Sequence, residues 1–369
     1  MKEQIRILFG IKTKSHTEIC LDEMTGLKEM GYICDQIEYG GKVNFKSVSS
    51  RFYIILLHAI KLVARSYKFK PHFIYLNSRL EFLGSARDFL TISIFRMFYF
   101  KKVHFLIKSH GSDLQVLQTK NVFFKRIIFP FLKKQVSGWL FLSNEEVTWI
   151  ASKKLLNVQN IFLAKNIVRC EKFQIDNTFR RKFNIPNDYK VLLFVGRIIE
   201  EKGIYYLIEA FAEVQKKYKV ILFIVGDGTE FTKIKRKIND LNIKEGIKIT
   251  GWVDEKEAAY FTSNSDILIL PTFFPEGFPM ALFNSLAAGL SLVTTKIRAA
   301  SDHLKEPENC IWVAPKSSLS IKNALVRLLT DEHLMQTMQK NNKQKAHLFT
   351  KPFVSQEISN VLQTIARKN

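Results

Sequence analysis

The sequence has few cysteines and no long apolar run. Its four cysteines, Cys20, Cys34, Cys170 and Cys310, are scattered, and no two of them have the C-x-x-C spacing. This distribution argues against a structural zinc site and a disulfide framework, and it fits a reducing cytosol. No stretch reaches about 18 uncharged apolar residues, so no transmembrane helix is expected. The apolar run at residues 5–9 is too short for a signal peptide and is expected to form the first core strand.

Acidic residues are scarce in one quarter of the chain. The whole chain carries 56 Lys and Arg against 34 Asp and Glu, a formal charge of +22. Residues 42–134 contain 18 basic residues and three acidic ones, Glu81, Asp88 and Asp113, which leaves +15. A field of this size attracts an anionic partner. Membrane phosphates and nucleic-acid phosphates both meet this requirement, so charge alone does not choose between them.

The rest of the composition is that of a soluble globular protein, and 369 residues allow two domains of ordinary size. Short apolar strands alternate with helical patterns twice along the chain, and a polar connection separates the two arrays. Such arrays predict an α/β fold with two Rossmann-like, doubly wound domains facing a central cleft. We place the domains at residues 1–170 and 171–350, and we expect a last helix at 351–369 to pack back on the N-terminal domain.

The most informative stretch is residues 266–295. A buried strand is predicted at 266–270, and a loop containing Glu276 and Pro279 follows it. Pro279 suits the first turn of a helix, where its missing N–H costs nothing, and Gly289 suits that helix's end. This order places one carboxylate and several backbone N–H groups at the carboxyl edge of a parallel sheet, where open α/β sheets bind ligands. A ligand with both hydroxyl and phosphate groups suits such a site.

Two cations lie at the start of another predicted helix. Gly196 and Arg197 follow an apolar strand, and Lys202 and Gly203 come shortly afterwards. A helix N-terminus already favours anions, and a diphosphate leaving group needs two nearby positive charges or a metal ion. The same residues are also compatible with a solvated turn that carries two surface cations.

Two further loops follow predicted strands. Asp227, between Gly226 and Gly228, lies in a loop that is more typical of a structural turn when taken alone. Residues 251–253, Gly-Trp-Val, could present their backbone to a nucleobase edge. A tryptophan at such a position is, however, more often part of the core.

In this order the motifs resemble those of the retaining glycosyltransferases of family 4, which have the GT-B architecture. The resemblance covers the C-terminal half closely and the N-terminal half loosely, through residues 109–113, 142–143 and 165–166. It implies transfer of a sugar from a UDP- or GDP-linked donor to an acceptor, with retained anomeric configuration, no metal ion in the site and no cofactor. The sequence also has no Asp-x-Asp motif of the kind that metal-dependent transferases use.

The resemblance implies a role for each motif. Arg197 and Lys202 bind the donor diphosphate, Glu276 contacts the sugar hydroxyls, and residues 251–253 line the base pocket. Backbone N–H groups after Glu276 help to hold sugar or phosphate. The donor-binding set is Gly196, Arg197, Lys202, Asp227, Gly251, Trp252, Val253, Glu276, Gly277, Phe278, Pro279 and Asn284, and the catalytic set is His110, Arg197, Lys202 and Glu276.

One donor position departs from the family. The family usually has two glutamates separated by seven residues, the second of which takes the ribose hydroxyls, and here Asn284 stands at that second position. An amide can hydrogen-bond a diol through both ends but lacks the charge of a carboxylate. We therefore expect weaker or altered nucleotide binding. Because of this departure, a role as a non-catalytic partner subunit remains an alternative to catalysis.

The acceptor contacts are expected in the N-terminal half. Gly10 is expected to start the loop after the first strand, although residues 10–15 lack the family's glycine pair. His110 follows a strand end where the family often places a histidine facing the reacting sugar, and it is expected to position the acceptor or to share hydrogen bonds with Asp113. The expected acceptor set is Gly10, His16, His110 and Asp113. A lone histidine at a strand end is also typical of an ordinary loop residue.

Residues 120–134 combine aromatic and aliphatic side chains with flanking cations. More of them are apolar than one helix face needs, which is typical of a helix that lies in a membrane interface. A core helix with a basic outer face would show a similar pattern. The excess positive charge of the surrounding region favours docking on an anionic membrane.

The resemblance and the excess positive charge together predict a metal-independent, retaining glycosyltransferase of surface polysaccharide or lipid-linked glycan synthesis. Its expected partners are a nucleotide sugar, a saccharide or lipid-linked acceptor, and an anionic membrane surface contacted through the basic N-terminal domain, but no nucleic acid. It is expected in the cytoplasm, peripheral on the inner face of the cell membrane. A nucleotide-sugar epimerase or sugar phosphorylase of the same fold, and a basic nucleic-acid-binding protein, remain alternatives.

Overall fold

The computed structural model describes residues 4–11, 17–40, 48–112, 114 and 121–368. The chain divides into two compact units, Met1–Ile167 with Lys351–Asn369, and Val168–Thr350. The division thus falls after residue 167, whereas the sequence pattern placed it after residue 170. Two of the expected acceptor residues, His16 and Asp113, lie outside the described residues.

Each unit contains a parallel sheet with six strands in the described residues. The strands are β1 Arg6–Ile11, β2 Ile33–Glu38, β3 Phe73–Ser78, β4 His104–Ser109, β5 Val136–Phe141, β6 Ile161–Leu163, β7 Lys190–Val195, β8 Val220–Val225, β9 Ile247–Gly251, β10 Ile267–Leu270, β11 Ser291–Thr294 and β12 Ile311–Trp312. The spatial orders are β2-β1-β3-β4-β5-β6 and β12-β11-β10-β7-β8-β9.

The strand orders identify where each sheet reverses its winding. In the second sheet the chain starts in the middle at β7, proceeds outwards through β8 and β9, and returns to β10 on the other side of β7. This is the order of dinucleotide-binding folds, and its switch point lies between β7 and β10. In the first sheet the corresponding point lies between β1 and β3. The predicted α/β fold with two doubly wound sheets is confirmed.

Helices connect the strands. They are α1 Thr17–Glu29, α2 Val48–Phe69, α3 Phe82–Phe98, α4 Phe129–Gln135, α5 Asn144–Ser152, α6 Phe179–Lys182, α7 Ile204–Val214, α8 Phe231–Asp240, α9 Glu255–Ser263, α10 Met280–Ala288, α11 Arg298–His303, α12 Ser318–Thr330, α13 Glu332–Lys345 and α14 Lys351–Arg367. Side-chain caps fix several starts: Asp254 accepts from Glu257 N–H before α9, and Ser143 accepts from Glu146 N–H before α5.

The two faces of the first sheet are covered by different helices. One hydrophobic cluster joins α2, α3 and residues 124–132 to the sheet through side chains such as Leu62, Phe95 and Leu132. A second cluster joins α1 and α14 to the opposite face through side chains such as Met24 and Ile358. The first unit is therefore a three-layered α/β/α arrangement.

The last helix, α14, is part of the first unit. It packs on α1 so closely that a Cβ on Gly26 would lie 1.9 Å from the Ser355 hydroxyl oxygen. The Tyr32 hydroxyl lies 2.7 Å from that of Ser359, and Lys165 donates to Glu357 at 2.6 Å. A chain segment that begins after residue 350 thus completes the core formed by the first 167 residues.

Residues 121–135 form a packed segment with two distinct sides. A π-helical turn, Phe124–Ile128, leads into α4. Phe124, Ile128 and Leu132 are buried in the core, so the interpretation as a core helix is correct for this inner side. Val122, Phe123 and Ile127, by contrast, remain exposed. Among the helices that the structure describes, none has the length and hydropathy needed to cross a bilayer.

Candidate functional site

The loops after β7 and β10 are joined through one carbonyl group at the switch point of the second sheet. The oxygen of Glu201 accepts hydrogen bonds from the N–H groups of Phe273 at 2.8 Å and Phe274 at 3.1 Å. It also accepts from the Thr272 hydroxyl at 3.2 Å. These bonds fix the residues before Lys202 against the residues before Glu276. Two loops that are about 70 residues apart in sequence therefore act as one structural element.

Gly203 allows this close approach. Its φ is +75°, in the left-handed region that favours glycine. A Cβ at this position would lie 2.3 Å from the carbonyl oxygen of Pro271, so any side chain would separate the two loops. Helix α7 begins at the next residue, Ile204. The geometry thus explains why glycine follows Lys202.

Lys202 and Glu276 form an ion pair at this edge. Lys202 Nζ donates to Glu276 Oε1 at 2.5 Å, and the two side chains are 5% and 22% exposed. Burial holds the pKa of Lys202 below its usual value, while the Glu276 carboxylate acts in the opposite direction. A charge buried to this extent needs a partner, because removal of one member would leave the other without compensation. The pair therefore places a desolvated cation at the end of the sheet.

Arg197 adds a second cation to the same edge. It follows Gly196 at the end of β7 and is exposed. Its guanidinium carbon lies 5.3 Å from the centre of the Phe274 ring, which belongs to the loop that leads to Glu276. Its charge also contributes to the lowered pKa of Lys202. The structure thus brings Arg197, Lys202 and Glu276 to one edge of the second sheet.

The Gly226-Asp227-Gly228 turn is shaped by backbone packing. A Cβ on Gly226 would lie 1.9 Å from the Gly196 carbonyl oxygen, and one on Gly228 would lie 2.3 Å from that of Ile198. Both glycines let the loops after β7 and β8 touch. This packing agrees with the prediction that residues 226–228 form a structural turn. Asp227 is exposed and accepts from the N–H of Gly228 at 2.7 Å. In contrast, a Cβ on Gly196 would meet no atom within 4 Å, so the backbone is open there.

Trp252 is not part of the core. It is 76% exposed, at the end of β9, which contradicts the alternative interpretation as a buried tryptophan. The preceding residue, Gly251, has φ +78° and accepts a hydrogen bond from the N–H of Gly226 at 2.9 Å. The base-pocket residues expected at 251–253 therefore begin next to the loop after β8.

The loop after Glu276 leads into α10 as the sequence pattern predicts. Pro279 is the N-cap of this helix, one residue before its first turn, and Gly289 ends it in the left-handed conformation with φ +83°. Phe278 is buried, with its ring stacked on that of Phe283 at 3.8 Å. Asn284 lies half-buried on the same helix. The chain around Glu276 is thus anchored on both sides.

His110 lies at the carboxyl edge of the first sheet. It is 8% exposed, its N–H donates to the Ser78 carbonyl, and its Nε2 lies 2.7 Å from Asn77 Oδ1. Because an amide oxygen can only accept, Nε2 carries the proton in this contact. The following turn is fixed by Glu146, which accepts from the N–H of Ser112 at 2.9 Å. Neither Asn77 nor Glu146 belongs to a motif that the sequence marks as functional.

Gly10 does not start a loop, as its sequence context suggested. It lies within β1, which extends to Ile11. A Cβ at this position would lie 2.9 Å from Leu76 Cδ2 and 3.0 Å from Tyr39 Cβ. Glycine is therefore needed here so that β1 can pack between its neighbours, and no acceptor contact is required to explain it.

Two buried polar groups of the first unit also escaped sequence analysis. Asp88 accepts from the Tyr39 hydroxyl at 2.5 Å, from the Ser78 hydroxyl at 2.6 Å and from the Arg87 guanidinium. Lys108, on β4, pairs with Glu23 of α1, and both side chains are fully buried. Burial raises the pKa of Glu23, and Lys108 opposes this rise.

Comparison with known proteins identifies the second unit. Residues 175–345 match the family described as glycosyl transferases group 1. The second unit is therefore similar to group 1 glycosyltransferase domains. This match confirms the resemblance to glycosyltransferases that the ordered motifs of the second unit predicted.

Two curated relatives show how far the sequence similarity extends. An uncharacterized glycosyltransferase of Methanocaldococcus jannaschii is 29% identical over 153 residues, which are 42% of this chain and 39% of the relative. The capsular polysaccharide biosynthesis glycosyltransferase CapM of Staphylococcus aureus is 26% identical over 220 residues, which are 56% of this chain and 55% of the relative. The chain thus spans between 39% and 55% of the length of these relatives.

Solved structures extend the likeness to the whole fold. A glycosyltransferase from Rickettsia africae has a TM-score of 0.80 with 17% identity, over 100% of both chains. Anabaena HepE, whose crystal structure contains UDP, has a TM-score of 0.76 with 15% identity, over 98% of this chain and 100% of HepE. At these identities the likeness establishes the fold, which is GT-B.

Proposed function

We propose that the protein is a glycosyltransferase that moves a sugar from a nucleotide-diphosphate donor to a saccharide acceptor. The observation that carries this proposal is the Lys202–Glu276 pair, held at the switch point of a group 1 glycosyltransferase domain with Arg197 beside it. A cation pair suits a diphosphate, and a carboxylate suits sugar hydroxyls. The UDP bound in the structurally similar HepE supports a nucleotide donor.

The candidate residues of the two units have distinct tasks in the proposed reaction. Lys202 and Arg197 meet the negative charge that develops on the departing diphosphate, a type of stabilisation worth about 3 kcal/mol for one well-placed donor. Because Lys202 already pairs with Glu276, an arriving diphosphate competes for its ammonium group. Glu276 then has acceptor oxygens available for the donor sugar. His110 positions the acceptor through a ring that Asn77 orients.

The proposed reaction retains the anomeric configuration and needs no metal ion. The bond from the anomeric carbon to the diphosphate oxygen breaks while the acceptor oxygen bonds to the same face of that carbon. The departing phosphate oxygen takes the acceptor's proton, so no covalent intermediate forms. A glycosyl-enzyme adduct trapped with a slow substrate would contradict this route.

The proposed acceptor is lipid-linked and belongs to surface polysaccharide synthesis. The similarity to CapM, a capsular polysaccharide glycosyltransferase, supports the pathway class. The excess positive charge of residues 42–134 supports the proposal that the enzyme acts at an anionic membrane surface, on its cytoplasmic side. Asn284 would contact the ribose hydroxyls of the donor through its amide, without the charge of a carboxylate.

A thermal-shift panel tests the proposal. We expect at least one of UDP, GDP and ADP to raise the melting temperature, because a ligand that binds only the folded state stabilises it. The corresponding nucleotide sugar should then be hydrolysed slowly in the absence of acceptor. Failure of every nucleoside diphosphate to bind would contradict the donor site. Binding without any hydrolysis or transfer would identify a non-catalytic subunit instead.

A further inference from the structure

Three neighbouring elements cover one face of the first sheet, with α3 in the middle. On one side, the Tyr67 hydroxyl of α2 donates to the Phe98 carbonyl of α3 at 2.6 Å. On the other side, Phe89 of α3 packs edge to face on Phe131 of α4 at 5.0 Å. All three elements bury their inner side chains in one cluster. Their outer sides therefore form a continuous surface, which we call the outer face of α2, α3 and residues 121–135.

This outer face is unusually apolar. Twelve of the 21 exposed large hydrophobic residues in the described part of the chain lie between residues 52 and 127. They include Tyr53, Leu83, Met97 and Phe123, which are 64%, 68%, 63% and 53% exposed. Single exposed apolar residues are normal, but a contiguous set marks an interaction surface.

The periodicity of α3 also shows that its outer side is apolar. Leu83, Leu90, Ile94 and Met97 recur at helical spacing and are all at least partly exposed. A surface helix ordinarily carries charged residues on its solvent side. The charged residues of α3 instead make intramolecular contacts: Asp88 is buried with its partners, and Arg96 donates to Gln135 and to the Val103 carbonyl. Solvation of α3 alone does not explain this pattern.

Cations surround the apolar side chains. Lys61, Lys101, Lys125, Lys133 and Lys134 are exposed on or next to the three elements. Within the described part of residues 48–134 the acidic side chains are Glu81, which lies 3.6 Å from Arg79, and the buried Asp88. The outer face therefore combines an apolar centre with a positive surround.

This combination matches the surface of an anionic bilayer more closely than other partners. Acyl chains accept aliphatic and aromatic side chains, and lipid phosphates attract lysines at the level of the headgroups. A second copy of the chain would bring two positive surfaces together, which costs energy. The phosphates of a nucleic acid would pair with the lysines, but its polar surface would not bury Leu83, Met97 and Ile127.

We propose that the outer face of α2, α3 and residues 121–135 docks on a bilayer that contains anionic phospholipid. Leu83, Met97 and Phe123 lie among the headgroups and the first acyl carbons, while the lysines contact phosphates. The inference deepens the proposed function, because it identifies the surface that would bring the enzyme to a lipid-linked acceptor. The proposed contact extends beyond residues 121–135, because α2 and α3 supply most of the exposed apolar side chains.

Vesicle flotation with the full chain tests this proposal. We compare phosphatidylcholine vesicles with vesicles that contain phosphatidylglycerol, and we expect much stronger binding to the second kind. Lys125→Gln/Lys133→Gln/Lys134→Gln should weaken that binding about a hundredfold, because each cation near an anionic surface contributes about fivefold. Leu83→Ser/Met97→Ser/Phe123→Ser should weaken it about tenfold or more at unchanged charge.

A matched control removes the same number of charges elsewhere. Lys217→Gln/Lys244→Gln/Lys248→Gln changes three exposed lysines of the second unit, and its vesicle binding should stay within about twofold of wild type. Equal losses in the control and in the lysine variant of residues 121–135 would overturn the proposal. So would equal binding to neutral and anionic vesicles, unchanged binding in the Ser variant, or self-association that the Ser variant abolishes.

A parallel measurement separates this inference from the proposed function. The lysine variant of residues 121–135 and the Ser variant are tested by thermal shift with UDP, and the shift should equal that of the wild type because their substitutions lie outside the second unit. Vesicle binding without any nucleotide binding would contradict the proposed function but not the docking surface. Nucleotide binding without vesicle binding would contradict the docking surface alone.

Discussion

The carboxyl edges of the two sheets are built by different means. In the second sheet, backbone packs on backbone, because Gly203 and Gly226 let neighbouring loops approach within van der Waals contact. In the first sheet, side chains fill the corresponding space: Asp88 accepts from two hydroxyl groups and His110 lies against Asn77. Glycine substitutions should therefore damage the second edge, whereas loss of a buried polar side chain should damage the first.

The largest expected effect is on the stability of the first unit. Asp88→Ala removes an acceptor for Tyr39, Ser78 and Arg87 and leaves a mostly buried guanidinium without its carboxylate. Such a loss costs about 3 to 5 kcal/mol of the free energy of unfolding. Urea denaturation of the full chain measures it, with Asp88→Asn as the milder control because its amide oxygen still accepts. An unchanged midpoint would show that side chains do not hold this edge.

The next effect is on catalysis at the second edge. Lys202→Ala should lower kcat/KM for the donor by about a hundred- to a thousandfold, since one cation facing the leaving diphosphate is lost. Steady-state transfer or donor hydrolysis measures the change. Lys217→Ala, at an exposed position of the same unit, is the control and should retain full activity. Near-normal turnover in Lys202→Ala would contradict the diphosphate assignment.

Substitutions of Gly226 and Gly31 separate the effect of a steric clash from the effect of backbone strain alone. Gly226→Ala adds a Cβ 1.9 Å from the Gly196 carbonyl oxygen at φ +139°, so both clash and backbone strain act. We expect it to lower the free energy of unfolding by about 2 to 3 kcal/mol. Gly31→Ala has φ +90° and no atom within 4 Å of the new Cβ, so it should cost only about 1 kcal/mol of strain. Equal melting temperatures for the two variants would refute the backbone-packing explanation.

The smallest expected effect concerns pH. The pKa of Lys202 lies below 10.5, chiefly because of burial. The unfolded chain therefore binds this proton more tightly, and between the two pKa values the free energy of unfolding rises with pH. The affinity for UDP should instead fall as pH rises, because Lys202 loses its ammonium charge above its lowered pKa. As pH rises towards 10.5, Kd for UDP should therefore rise more steeply in wild type than in Lys202→Arg, whose guanidinium stays charged. Parallel Kd profiles for the two proteins would contradict this role for Lys202.

The second unit could be predicted largely from its sequence. Each feature of its edge depends on residues in the loop or helix that directly follows a strand: a glycine where loops touch, a cation before α7, and a proline and a glycine at the ends of α10. Gly203, Pro279 and Gly289 therefore mark the structure locally. Trp252 is an exception, because apolar character alone cannot tell a buried ring from one that is 76% exposed.

The first edge could not be predicted because its partners are far apart in sequence. Asp88 and Tyr39 are separated by 49 positions, and Lys108 and Glu23 by 85. No local pattern indicates such contacts, and a buried lysine in a strand contradicts the usual preference of charged residues for the surface. Gly10 was misassigned for a related reason, since its packing against Leu76 depends on a strand that pairs with β1 only in the folded sheet.

The central claim is that Arg197 and Lys202 act together on a diphosphate. Calorimetric titration of UDP and of uridine into the wild type and Arg197→Ala/Lys202→Ala tests it most directly, or of GDP and guanosine if GDP is the better ligand. We expect Kd for the diphosphate to rise about a hundredfold or more in the double variant, while Kd for the nucleoside hardly changes. Equal losses for both ligands, or no loss for the diphosphate, would contradict it.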